Sequence, residues 1–144
     1  MSGLSALGWD ERAARAVAQV AVPGCAVGRV VRVDLDSVVV VTEGGDRRAR
    51  ARELPAVGDW VVADVQEQDA VVLGVARRWS ELSRRDPTGR TQVLAANVDL
   101  VLVTAPADRL SLARVEREVV MGWDSGARPV VLLTKSDLAP QASP

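Results

Sequence analysis

Lys135 is the only lysine among 144 residues, and it lies in Thr134-Lys135-Ser136-Asp137, directly after the apolar run Pro129-Val130-Val131-Leu132-Leu133. Asp137 offers two acceptor oxygens on one side chain. Guanine presents an N1–H and a 2-amino group side by side, and a single carboxylate can accept from both. Adenine has no such donor pair. Each charge-assisted bond of this kind contributes about 1.5–3 kcal/mol. Lys135 can lay its methylene stem along the base and keep its ammonium in polar contact. Unbroken apolar runs form buried strands of parallel sheets, and open α/β sheets bind ligands beyond the carboxyl ends of their strands. The tetrad is therefore a candidate guanine reader built from Thr134, Lys135 and Asp137. The competing possibility is a polar turn in which Asp137 caps the next segment.

A missing motif sharpens the choice. A phosphate loop needs Gly-x-x-x-x-Gly-Lys-[Ser/Thr], with its lysine on the β/γ-phosphates. Ser136 follows Lys135, but the two upstream glycines are absent, so these residues hold no such loop. Either the tetrad is accidental, or the nucleotide motifs are permuted and the phosphate loop is expected after residue 144. No catalytic residue is expected within the chain itself.

The other seventeen basic residues are arginines. Arg48, Arg50 and Arg52 alternate with Ala49 and Ala51, which on a strand would space three guanidiniums about 6.6 Å apart on one face. Arg77, Arg78, Arg84, Arg85 and Arg90 form a second cluster, diluted by Glu81 and Asp86. Guanidinium suits bidentate contact with phosphate, so both groups are candidate RNA contacts. A solvated face in an arginine-rich protein is the alternative. Phe and Tyr are absent, whereas single-strand platforms use several aromatics. Trp60 and Trp79 are expected to pack, although Trp60 falls out of phase with Val61, Ala63 and Val65. Recognition of RNA backbone and shape is expected over base reading.

Composition narrows the class. Nearly half of the residues are apolar and the net charge is −1, so the chain is no polycation. Met1 to Arg15 has no apolar signal core, and no run is long enough to cross a bilayer. With Cys25 alone and no histidine, neither an internal disulfide nor a metal-ligand cluster is expected.

The elements that must hold these residues follow from periodicity. Trp9 to Val20 reads as a short helix with Trp9, Ala13, Ala16, Val17 and Val20 on one side. Val31, Val33 and Leu35 alternate with Arg32 and Asp34 as a half-buried strand. Further strands are expected over Val38–Thr42, Arg47–Arg52, Asp59–Val65 and Ala70–Arg78, with a hairpin turn at Glu43–Asp46. Five short strands suggest an OB-fold barrel, whose second and third strands commonly carry nucleic acid. Ser83 to Thr91, rich in Pro, Gly and charge, reads as a linker. Beyond it, Asp99–Thr104, a helix bearing Leu112, Val115, Val119 and Trp123, and the run from Pro129 form a βαβ unit. Gly126 closes that helix. The expected division is a helical extension over 1–25, an OB-fold domain over 26–80, a linker over 81–96 and an incomplete nucleotide domain over 97–144. The fold class is thus β plus α/β.

Pro55-Ala56-Val57-Gly58-Asp59, Gln92-Val93-Leu94-Ala95-Ala96-Asn97-Val98-Asp99, Ser125-Gly126-Ala127-Arg128-Pro129 and Thr134-Lys135-Ser136-Asp137-Leu138, in this order after a barrel, resemble the ribosome small subunit-dependent GTPase A family. The resemblance runs from about Leu7 onward. It implies a circularly permuted GTPase acting in late maturation of the small (30S) ribosomal subunit, with the guanine motif ahead of the phosphate loop. It further implies GTP or GDP with Mg²⁺, binding to 16S rRNA, a cytoplasmic monomer with no membrane association, and a zinc-binding domain that this chain lacks. Thr134 stands where many GTPases have Asn, so a hydroxyl replaces an amide. The 144 residues alone are expected to be inactive, as the N-terminal portion of such an enzyme. A stand-alone OB-fold RNA-binding module is the alternative.

Overall fold

Valine is stiff at χ1 and suits a pleated surface, and valines fill most of a barrel interior built from β1 (Ala26–Val33), β2 (Val38–Thr42), β3 (Gly45–Ala51), β4 (Trp60–Val65) and β5 (Ala70–Val75). The computed structural model describes residues 3–53, 55–66 and 69–139; residues 1–2 and 140–144, the outer ends of the first and last expected domains, lie outside them. The strands close in the order β1-β2-β3-β5-β4. All pairs are antiparallel except β3 with β5, which run parallel from Ala49↔Ala70 to Ala51↔Val72. Closure leaves no free edge to template association. Val30, Val38, Val40, Ala49, Val61 and Ala70 pack together inside.

The phase of β1 differs from the sequence expectation. Val31 and Val33 are exposed and Leu35 is 99% exposed, whereas Val30 is buried. The register shifts between Val30 and Arg32. A bulge of this kind leaves one residue unpaired: Val31 has no partner on β2, whereas Val33 pairs with the buried Val38 at the strand end and is open to solvent there. Trp60 packs in the core, as expected. It is out of phase with the barrel interior, yet 0% exposed, because β4 is covered on both sides. On its outer side lies α1 (Glu11–Ala18), capped by Asp10, whose carboxylate accepts from the Ala13 N–H at 2.8 Å. Ala13 and Val17 of α1 pack with Leu4, Trp60, Val62 and Ala76 in a second cluster. Trp9 meets Trp60 edge-on at 5.0 Å between ring centroids.

The stretch 81–96, expected as a linker, is an antiparallel hairpin of β6 (Glu81–Arg85) and β7 (Thr91–Ala96). Its Pro and Gly belong to the turn. The Asp86 carboxylate accepts from the Thr88 hydroxyl at 2.6 Å and from the N–H groups of Thr88 and Arg90. Those bonds, led by the Thr88 hydroxyl, hold the Asp86 carboxyl below its ordinary pKa.

The last part is a βαβ unit of β8 (Leu100–Pro106), α2 (Leu112–Asp124) and β9 (Arg128–Thr134). The two strands run parallel, in register from Leu100↔Arg128 to Pro106↔Thr134. The expected apolar face of α2 is only half covered. Val115 and Val119 are partly buried, but Leu112 and Trp123 are 67% and 61% exposed. Two strands are too narrow to cover a thirteen-residue helix. Closest contact falls instead at Gly122, buried against the Pro129 ring. No helix among the described residues is long and apolar enough to cross a membrane.

Candidate functional site

β9 ends at Thr134, and the chain then turns through a 3-10 segment, Ser136–Leu138. The parallel pairing places this turn beyond the carboxyl end of β9, beside the turn Ala107–Arg109 that follows β8. The Thr134 hydroxyl donates to the Ala105 carbonyl of β8 at 3.4 Å. A threonine thus ties the two strand ends together where an amide is the commoner choice. Lys135 adopts the left-handed conformation, with φ 54°. For a residue with a long side chain that conformation costs about 1–2 kcal/mol, and such strain concentrates at functional turns. Asp137 is exposed, and its carboxylate has no hydrogen bond or ion pair among the described residues. A free carboxylate on a braced turn at a strand end is suited to accept paired N–H donors. Close by, Oδ1 of Asp108 is buried without a hydrogen-bond partner among the described residues, a feature with no sequence signal.

The candidate RNA contacts divide by their partners. Arg48 and Arg50 are exposed on β3, with Ala49 buried behind them. Both carry acidic neighbours: Arg48 lies 3.9 Å from Asp34 and 3.7 Å from Asp36, and Arg50 lies 3.6 Å from Asp69. Arg48 also donates to Ser37 Oγ at 3.0 Å. Arg52 follows the end of β3 and is exposed. Arg84, Arg85 and Arg90 lie on the β6–β7 hairpin, where Arg84 donates to Gln92 at 3.3 Å. Arg77 is exposed.

Arg78 is engaged elsewhere. Its Nε and Nη2 each donate at 2.7 Å to the fully buried Asp59 carboxylate, and Nη1 donates to Glu81 at 3.0 Å. The Asp59 bond is the main cause of the upward shift of the Arg78 pKa. Asp59 also accepts from the Ala56 N–H at 2.8 Å, so the pair fixes the turn before β4 against the chain leaving β5. The Arg78 guanidinium is therefore not available for phosphate.

A junction of structural residues joins the barrel to the βαβ unit. Asn97 is left-handed (φ 55°) and 1% exposed. Its Nδ2 donates to the Gly58 carbonyl at 3.0 Å, and its Oδ1 accepts from the Trp79 N–H at 3.2 Å. Its own N–H donates to the Ser80 carbonyl at 2.9 Å, and its carbonyl accepts from Arg29 at 3.1 Å. Arg29 also donates to the carbonyls of Gly58 and Leu7 and stacks over Trp60. Burial lowers the Arg29 pKa, and Asp99 offsets part of that. A signal for Asn97 is visible in the Ala-Ala-Asn-Val-Asp string, whereas Arg29 sits in a strand and gives none. No group of three or more His, Cys, Asp or Glu among the described residues could hold a metal ion.

Comparison with known proteins adds three findings. The family model described as RsgA GTPase matches residues 75–143. The small ribosomal subunit biogenesis GTPase RsgA of Streptomyces coelicolor is 39% identical over 150 residues, covering 96% of this chain and 41% of the relative. RsgA 1 of Listeria innocua is 35% identical over 128 residues, covering 81% of this chain and 36% of the relative. The chain thus spans about two fifths of the length of these relatives. Among solved structures, YjeQ from Thermotoga maritima superposes with a TM-score of 0.67 at 22% identity, over 81% of this chain and 44% of that one. YloQ, described as a circularly permuted GTPase, gives 0.63 at 20% identity over 83% and 44%. At those identities the structures speak for the fold alone: an OB-like barrel followed by a βαβ unit.

Proposed function

This chain belongs to the RsgA GTPase family, and on that premise we propose that the protein hydrolyses GTP in the biogenesis of the small ribosomal subunit. Thr134, Lys135 and Asp137 are assigned to the guanine base. Asp137 accepts from N1–H and the 2-amino group, Lys135 lies along the ring, and Thr134 braces the turn against β8. Phosphate contacts, Mg²⁺ and attacking water are assigned to no residue of this chain. The barrel arginines Arg48, Arg50 and Arg52, with Arg77, Arg84, Arg85 and Arg90, are assigned to 16S rRNA, and the cytoplasm is the matching location. The observation that carries the reading is the Asp137 carboxylate, unpaired among the described residues, on a strained turn beyond a parallel strand pair.

The test is Asp137→Asn in the protein at its full length. An amide can donate to a 2-carbonyl where the carboxylate accepted from a 2-amino group, so preference should pass from GTP to xanthosine triphosphate. Loss of two charge-assisted bonds corresponds to about 100-fold or more in GTP affinity. Unchanged preference in a competition assay removes the guanine assignment.

A further inference from the structure

Trp79, Trp123, Arg12 and Arg128 remain unassigned, and Arg77, already given to RNA, lies beside them. Arg12 of α1 lies over the Trp79 ring, 4.6 Å from its centroid. On one side of this pair is a cleft of about 310 Å³ reaching Trp123 and Arg128. On the other is a cleft of about 380 Å³ reaching Arg15 and Arg77. The two share Arg12 and Trp79, so they adjoin as a groove divided by that stacked pair, between α1, the chain after β5, and the α2–β9 corner. Among the described residues the guanidiniums of Arg12, Arg77 and Arg128 have no hydrogen bond or ion pair, in contrast to Arg48 and Arg50. Asp99 is the one acidic residue in the two linings.

We propose that this groove is a second RNA surface, which takes a single-stranded segment with its phosphates on Arg12, Arg77 and Arg128 and a base against Trp123. Three guanidiniums without a carboxylate partner among the described residues, around one groove, select a polyanion, and guanidinium forks match phosphate oxygens. An exposed indole supplies the apolar plane that nucleobases stack on, and such stacking tolerates any base. A protein partner would match an apolar centre with a polar rim, whereas here cations surround the rings. The groove is not the barrel stripe. α1 lies over β4, and β4 is separated from β3 by β5 on one side and by β1 and β2 on the other. Nor is it the guanine turn, which follows the opposite end of β9 from Arg128. The inference rests on the RNA-binding part of the proposed function and adds a site to it.

The experiment uses the full-length protein, a uridine oligonucleotide as probe, and isolated small subunits. Replacing Arg12, Arg77 and Arg128 with Ala should flatten the plot of log affinity against log salt for the oligonucleotide by about 2, at ~0.7 per neutralised phosphate on a single strand. Oligonucleotide should quench tryptophan fluorescence in the wild type, and Trp123→Leu should remove most of that quenching while circular dichroism stays unchanged. Superimposable salt plots for wild type and the triple variant overturn the proposal, as does shielding of Trp123 from acrylamide in the free protein. So does small-subunit binding that loses strength in the variant without any change toward RNA alone, since that assigns the groove to a ribosomal protein. The barrel variant Arg48→Ala/Arg50→Ala/Arg52→Ala runs in parallel. If only that variant changes the salt plot, the groove fails and the barrel assignment stands; if neither does, the RNA reading itself fails.

Discussion

Asn97 has both ends of its side-chain amide and both backbone polar groups engaged, with partners on the barrel, on the chain after β5 and on Arg29. Two consequences separate cleanly by mutation. Asn tolerates the left-handed region better than most residues, at which alanine pays about 1–2 kcal/mol. Its amide also satisfies the Gly58 carbonyl and the Trp79 N–H, and a buried group left unpaired costs about 1–3 kcal/mol. Asn97→Gly keeps the backbone conformation and loses only the side chain, so it is expected to destabilise by about 2 kcal/mol. Asn97→Ala loses both and should cost about 1 kcal/mol more. Urea titration followed by tryptophan fluorescence measures the difference, and equal losses for the two variants would place the whole effect in the side chain. The Asp59–Arg78 pair makes a companion case. Removing one partner of a buried ion pair costs about 3–5 kcal/mol, so Asp59→Asn should lower stability markedly, even though neither residue has a part in the chemistry proposed.

At the level of elements, the clearest demand is at Gly58, in the turn before β4. Its φ is +92°, and a Cβ there would lie 2.1 Å from the Ala96 carbonyl oxygen at the end of β7. That oxygen is backbone, so it cannot swing away. Gly24 has φ +81° with open space around it and supplies the control. Gly24→Ala is expected to cost about 1 kcal/mol, and Gly58→Ala about 3 kcal/mol from strain and overpacking together; matching denaturation midpoints would show that barrel and hairpin do not meet as closely as described. These elements are unevenly legible from sequence. The barrel strands, α1 and the βαβ order can be read because their apolar periods are intact, as in Val38–Thr42 and Pro129–Leu133. The period of β1 misleads because a bulge at Val31 is a register event between strands, and no single strand encodes it. The hairpin β6–β7 reads as a linker because Arg84 and Arg85 pair with Gln92 and Thr91, and Ser83 with Val93, which leaves little apolar alternation. Trp60 escapes period-2 reasoning because that reasoning assumes one dry face, and α1 dries the other. The turn that holds Thr134, Lys135 and Asp137 is legible because a polar tetrad directly after an apolar strand is a local pattern. Arg29 and Asn97 act through partners far apart in sequence.

For the molecule as a whole, a net charge of −1 hides an uneven distribution that sets how it would approach RNA. The β3 arginines look outward but share their surface with Asp34, Asp36 and Asp69. Exposed pairs of this kind contribute little to stability, about 0–1 kcal/mol each, so their more telling effect is on the surface potential. Binding a phosphate there requires a guanidinium to change partners, which lowers the net gain from each phosphate bound. Two opposite changes follow for small-subunit binding by the full-length protein. Replacing Arg48, Arg50 and Arg52 with Ala should weaken binding and reduce the slope of log affinity against log salt, by up to about 0.9 for each phosphate no longer neutralised. Replacing Asp34 and Asp36 with Asn should strengthen binding at every salt concentration, because Arg48 then meets phosphate without first leaving a carboxylate. Neither set lies in the barrel interior, so thermal melting should move by less than about 1 kcal/mol in equivalent stability. Salt titrations from low to physiological ionic strength read both effects. An arginine variant whose titration superimposes on the wild type would show that this face is merely solvated. An asparagine variant that fails to bind more tightly would show that the carboxylates do not compete with the ribosome for Arg48.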